Sequence, residues 1–109
     1  MPDLFSVLAE PSRRRILDAL RESEGLLVKD LVAALGMSQP NVSKHLRVLR
    51  TAGLVSESAE RQGRRYRLRA EGLRGVDAWL NPYRAFWTDR LQDLGDHLDS
   101  TRTHEGPPR

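Results

Sequence analysis

The chain has 109 residues, enough for one domain around one core. It carries no cysteine, which excludes disulfides, thiolate catalysis and thiolate metal sites. No apolar run reaches the length of a membrane span, and MPDLFSVLAEPSRRR lacks the long apolar stretch of a signal peptide, so a cytoplasmic location without a membrane partner is expected. The net charge of +3 is unevenly spread. Residues 1–35 sum to −1 and residues 70–109 to −2, whereas residues 36–69 carry eight basic and two acidic side chains. A basic middle third is the footprint expected for a polyanion, and a merely solvated surface is the alternative.

In chain order, Asp3 caps a short helix holding Leu4, Phe5, Val7 and Leu8. Pro11 interrupts it, because the residue before a proline avoids the helical region. A second helix starts at Pro11 or Ser12 and runs to about Ser23, with Ile16, Leu17 and Leu20 on its apolar side. Arg13, Arg14 and Arg15 sit near its start, at the wrong end of the helix dipole. A bound anion such as a phosphate would compensate there, although solvation accounts for at least two of the three. After Gly25, Leu26-Leu27-Val28 suit a very short strand, and residues 28–35 (VKDLVAAL) form a third helix.

Residues 36–53 (GMSQPNVSKHLRVLRTAG) read as a loop, a capped helix and a stop. Ser38 is a good N-cap, Pro40 falls in the first turn, and Gly53 suits a left-handed position after the last. Val42, Leu46 and Leu49 make one apolar stripe, and Pro40, Ser43, Lys44 and Arg47 lie on or near the opposite face. Two short helices joined by a three-residue turn containing glycine make a helix-turn-helix over about residues 28–52, with its cationic helix second. Such a polar face suits a DNA major groove. An ordinary surface helix is the alternative.

Residues 54–58 and 65–69 alternate apolar and polar around a glycine-containing turn at residues 59–64, so a hairpin is expected over about 54–69. Arg61, Arg64 and Arg65 at its tip and second strand would meet the phosphate backbone or the adjacent minor groove. Edge-strand protection by charge is the other account of them. From about residue 71 to 99 the pattern is helical, with Leu73, Val76, Leu80, Tyr83, Trp87, Leu91, Leu94 and Leu98 in one stripe, broadened by Trp79 and Phe86. Pro82 predicts a kink or break near Asn81. A basic hairpin directly after a helix-turn-helix makes a winged helix, and the aromatic surface exceeds what that needs for its own core, so a self-pairing interface is expected, formed by Trp79, Tyr83, Phe86, Trp87, Leu91 and Leu94 with Leu4, Phe5 and Leu8 of the first helix. A fold-back onto the chain's own domain, and a small-molecule effector pocket lined by Trp79, Tyr83, Phe86 and Trp87, are alternatives. Residues 100–109 are expected to be a disordered tail.

The runs EPSRRRILDAL, KDLVAALGMSQPNVSKHLRVLRTAGLV and RQGRRYRL resemble the ArsR/SmtB family of bacterial winged-helix repressors over roughly residues 3–70. WLNPYRAFWTDRLQDL looks like a branch of that family with an aromatic-rich final helix and no metal-site cysteines. The resemblance implies a mainly α fold with a small β-hairpin, a winged helix-turn-helix whose terminal helices form a dimer interface. It implies a homodimer on a palindromic double-stranded operator, repressing transcription. It places Gln39, Pro40, Ser43 and Lys44 in the groove; beside them Arg47 is expected on a phosphate, and His45, near the apolar edge of the helix, in packing. Leu27 and Lys29 stand where metal-sensing members carry cysteines, so that site is absent, and no cofactor is expected. Asp93 and His97 match a second family metal site only weakly, with His104 and Glu105 further on. The rivals to this reading are a winged-helix protein-interaction module and a repressor sensing zinc through its last helix. An enzyme is not expected, since no nucleophile–base pair, metal cluster or phosphate loop stands out.

Overall fold

The computed structural model describes residues 3–101, and the side chains of residues 3–91. Three of the first four helices begin where a side chain satisfies an early amide group. Asp3 accepts from Ser6 N–H at 3.3 Å to open α1, Leu4–Ala9. Glu10 accepts from Ser12 N–H at 3.1 Å to open α2, Pro11–Arg21. Ser38 accepts from Asn41 N–H at 3.3 Å to open α4, Gln39–Thr51. Between α2 and α4 lie strand β1, Leu26–Leu27, and helix α3, Val28–Leu35. Gly36 (φ 66°) and Gly53 (φ 81°) close α3 and α4 in the left-handed region that side chains disfavour.

The hairpin lies within the expected span, but its strands run further toward the turn than the sequence suggests. Strand β2 spans Val55–Glu60 and β3 spans Gly63–Leu68, leaving a two-residue turn at Arg61-Gln62 instead of a six-residue loop. Charge pairing across the strands explains the extra rungs: Arg64 reaches Glu57 at 2.8 Å and Arg65 reaches Glu60 at 2.7 Å. β1 joins as a third antiparallel strand, giving the order β1-β3-β2 with Leu26 opposite Tyr66 and Leu27 opposite Arg65.

The core is the common inner face of these elements. Val7 of α1, Ile16, Leu17 and Leu20 of α2, Leu31 of α3, Val42, Leu46 and Leu49 of α4, and Leu54, Val55 and Tyr66 of the hairpin segment are all buried. Helix α2 ends at Arg21, short of Ser23, whose hydroxyl and amide both turn back to the Leu20 carbonyl.

The three arginines at the start of α2 meet backbone carbonyls, so the bound anion anticipated there is not needed; Arg14 and Arg15 remain exposed to solvent, and Arg13 is half-buried. Arg13 donates to Val7 O at 3.2 Å and Arg14 to Leu8 O at 2.6 Å, both near the C-terminal end of α1. Arg15 donates to Leu35 O at 2.9 Å at the end of α3. The guanidinium groups thus face the negative ends of two neighbouring helices, which offsets their unfavourable place on their own.

The chain divides into two compact units, residues 1–76 and 77–109. A single 3-10 turn, Ala70–Leu73, ends the hairpin segment and leads into α5, Arg74–Thr101. No break occurs at Asn81, and Pro82 lies inside the helix. Proline removes one intrahelical bond, to the carbonyl of Ala78, and both residues are exposed, so solvent can reach that carbonyl. The side chains of Asp93, Leu94 and His97, and all of residues 102–109 with His104 and Glu105, lie outside the described residues. No helix among the described residues is long and apolar enough to cross a membrane.

Candidate nucleic-acid interface

Helix α4 divides as its sequence pattern requires. Val42, His45, Leu46 and Leu49 are buried, whereas Gln39, Pro40, Lys44 and Arg47 are exposed and Ser43 is half-buried. Gln39 donates to Ser43 Oγ at 3.3 Å, so these two polar groups one turn apart present together. His45 is the buried polar residue of the helix, and its Nδ1 accepts from Arg13 Nε at 3.2 Å. That acceptor role requires a neutral ring protonated on Nε2. Burial is the main cause holding His45 below the ordinary imidazole range, with the Arg13 and Lys44 charges acting in the same sense and Glu10 opposing them. His45 is therefore a packing residue that ties α4 to α2.

The hairpin lies beside this helix with an open cleft between them. One part, about 420 Å³, is lined by residues that include Lys29 of α3, Gln39 and Ser43 of α4, and Gln62 and Arg64 of the hairpin. A second part, about 280 Å³, shares Ser43, Arg64 and Tyr66 and adds Arg47, Arg50 and Glu57. The cleft therefore joins the exposed side of α4 to the basic hairpin.

The basic side chains are not equivalent. Among the described residues, Lys44, Arg47 and Arg61 have no hydrogen-bond or ion-pair partner. Arg64 is bound to Glu57 yet remains more than half exposed. Arg65 is partly buried, its side chain 29% exposed, and is held on both sides, by Glu60 at 2.7 Å and by the Gly25 carbonyl at 3.0 Å. Arg67 donates to Ser58 Oγ at 3.0 Å. The Arg65 hydrogen bond is the largest cause keeping the Glu60 carboxyl below its usual range. The cations predicted for the hairpin thus split into one outward group at the turn, Arg61, and a set that also braces the strands.

Sequence reasoning missed Arg50 and Glu57. Arg50 is one turn beyond Arg47 and two turns beyond Ser43, so the same helical stripe would have selected it. Glu57 takes three hydrogen bonds, from Arg50 at 2.6 Å, Arg64 at 2.8 Å and the Tyr66 hydroxyl at 2.8 Å. The Tyr66 bond is the first cause holding its carboxyl low, helped by the two arginines. Tyr66 moves the other way, pushed up by burial and then by Glu57.

The aromatic residues of α5 line one exposed face. Trp79, Phe86 and Leu91 are 55%, 57% and 66% exposed. Tyr83 lies between the tryptophans, 5.2 Å from Trp79 and 6.5 Å from Trp87 between ring centroids. Arg90 covers Phe86 at 4.8 Å, and Arg84 pairs with Asp77. On α1, Phe5 is 43% exposed, whereas Leu4 and Leu8 are half-buried against their own core.

At the positions compared with metal-sensing cysteines, Leu27 is buried and Lys29 is exposed on the cleft. Neither offers the thiolate a soft metal needs. Among the described residues no three His, Cys, Asp or Glu side chains gather in a way that could hold a metal ion.

Comparison with known proteins agrees with this geometry. Residues 10–57 match the family described as "Bacterial regulatory protein, arsR family". The chain is 38% identical to the arsenic resistance transcriptional regulator ArsR1 of Pseudomonas putida, over 91% of this chain and 83% of that protein. It is 35% identical to the HTH-type transcriptional regulator Rv2034 of Mycobacterium tuberculosis, over 88% and 86%. The homodimeric winged helix-turn-helix DNA-binding domain of Mb0332 from Mycobacterium bovis matches with a TM-score of 0.57 and 25% identity, covering 92% of this chain and 82% of that one. The fold, the cationic second helix of the helix-turn-helix and these similarities lead to one assignment: the chain belongs to the arsR family of bacterial regulatory proteins, winged helix-turn-helix transcriptional regulators and not enzymes.

Proposed function

We propose that this chain acts in the cytoplasm as a homodimeric repressor that binds a palindromic double-stranded operator. One observation carries the reading: the unpartnered Arg47 of α4 lines a cleft whose other wall is the arginine-bearing hairpin, and the unpartnered Lys44 is exposed on the same helix. In this reading α4 enters the major groove. Gln39 and Pro40 lead, Ser43 and Lys44 reach base edges, and Arg47 meets a phosphate. Arg61 and Arg64 follow the neighbouring backbone, and Arg65, tied to Glu60 and Gly25, takes a smaller share.

The exposed aromatic face of α5 and the exposed Phe5 of α1, with Leu4 and Leu8 beside it, are the surfaces assigned to a second copy. Large apolar area in water favours association, and two-fold pairing requires a palindromic site. The face is assigned to self-pairing because its rings contact one another along one helix, Tyr83 tilted against Trp79 and stacked on Trp87, and remain about half exposed. No metal cofactor enters this account.

The test is Lys44→Ala, read by fluorescence anisotropy on a duplex from upstream of the chain's own gene and on a scrambled duplex. Loss of about 1–3 kcal/mol on the first, with a smaller change on the second, is the expected result for a base-edge contact. Unchanged affinity on both would remove α4 from the groove.

A further inference from the structure

A carboxylate at the centre of a DNA-facing cationic surface opposes the phosphates it should meet, so its presence there calls for a reason. Glu57 is such a group. Its side chain is 15% exposed, and it lines the cleft between α4 and the hairpin together with Arg47, Arg50 and Arg64. Its three donors come from two different elements. Arg50 belongs to α4, whereas Arg64 and Tyr66 belong to β3. Among the described residues, Arg50–Glu57 is the one side-chain hydrogen bond that joins α4 to the hairpin.

Each arginine gives the carboxylate one Nη1 donor and remains half or more exposed, at 51% for Arg50 and 58% for Arg64. A guanidinium has five N–H donors in a rigid fork, so each keeps donors for a phosphate while its orientation is fixed. Without the carboxylate the two cations repel each other. The backbone joining α4 to β2 passes through Gly53 in the left-handed region, and its hydrogen bonds there do not reach the hairpin tip where Arg64 lies. The relative angle of helix and hairpin would then lack a side-chain brace.

We propose that Glu57 is a positioning residue for DNA recognition: by gathering Arg50 and Arg64 on one carboxylate, it fixes the hairpin against α4 and so sets discrimination between DNA sequences. This rests on the DNA-binding reading above. Phosphate contacts hold the register in which base contacts can read, and a loosened register costs specificity before it costs affinity.

The experiment measures the wild type, Glu57→Gln and Tyr66→Phe on a preferred duplex selected from a randomised library and on a scrambled duplex, across salt. Glu57→Gln removes a negative charge, so binding to the scrambled duplex holds or rises and its salt dependence steepens. The preference for the selected duplex falls about tenfold or more, the scale of one lost base-pair contact. Tyr66→Phe keeps every charge and removes one bond, so the preference falls by a smaller factor with the salt dependence unchanged. If Glu57→Gln strengthens both duplexes by the same factor, the carboxylate is only an electrostatic brake and the proposal is overturned. If Glu57→Gln does not fold, Tyr66→Phe and Arg50→Lys decide the matter, and an unchanged preference in both overturns it. Lys44→Ala is run alongside. Loss of preference in Lys44→Ala with full preference in Glu57→Gln refutes this inference alone, whereas no preference in the wild type refutes the DNA reading and the inference with it.

Discussion

Replacing Arg61 or Arg65 by alanine removes the same formal charge from the same hairpin, yet the structure predicts different consequences. Arg61 is exposed in the two-residue turn and has no partner among the described residues. Arg65 already serves Glu60 and the Gly25 carbonyl. Counting Arg47, Arg61 and Arg64 as phosphate-facing groups on each of two protomers puts the logarithmic salt slope near −5, at roughly −0.9 per phosphate neutralised. Arg61→Ala removes two such groups per dimer. It should flatten the slope by about 1.8 and weaken binding roughly sixtyfold at 0.1 M salt if counterion release is the whole contribution. Arg65→Ala also frees Glu60, so its effect on affinity is mixed, but its effect on slope should be well under half that of Arg61→Ala. Anisotropy titrations of one labelled duplex at several salt concentrations measure both slopes. Equal flattening by the two variants would refute the argument that ion pairing within the hairpin decides which arginines meet DNA.

Two further predictions concern the scaffold. A Cβ at Gly72 would meet the Gly53 carbonyl oxygen at 2.3 Å, and a backbone atom cannot rotate away. Gly72→Ala should therefore cost about 1–3 kcal/mol, seen as a lowered thermal midpoint, and an unchanged midpoint would mean that the close approach does not exist. His45 is held neutral, with its pKa below the ordinary imidazole value of 6.5. The unfolded chain then takes up a proton before the folded one does, so stability falls as the pH drops from about 6.5 through the lower folded value and is unaffected by this group above it. Denaturant titrations across that window should show the slope in the wild type and lose it in His45→Gln, and an equal slope in both would assign the effect elsewhere.

Local chemistry made most of the fold legible. Asp3, Ser38, Pro11 and Pro40 mark helix starts, Gly36 and Gly53 mark ends, and Val42, Leu46 and Leu49 mark a buried stripe, each within one turn of its cause. What escaped depends on partners distant in sequence. Arg13 finds His45, 32 residues away, and Arg65 finds the Gly25 carbonyl, 40 residues away, through contacts that no local period encodes. The reach of the strands toward the turn escaped for another reason: the last rungs rest on cross-strand pairing of Glu57 with Arg64 and Glu60 with Arg65, seven and five residues apart, which a strand's period of two does not encode. In the interface, the stripe of α4 was readable as a face. Glu57 was not, since one acidic residue in a basic segment looks like charge balance until three donors are seen to converge on it.

The measurement that tests the account most directly is the stoichiometry and affinity of the purified protein on a labelled duplex from upstream of its own gene, by sedimentation at low salt with a chelator present. The account predicts two chains per site and tight binding that the chelator leaves unchanged and added salt weakens steeply. Absence of binding even at low salt, or one chain per site, would contradict it.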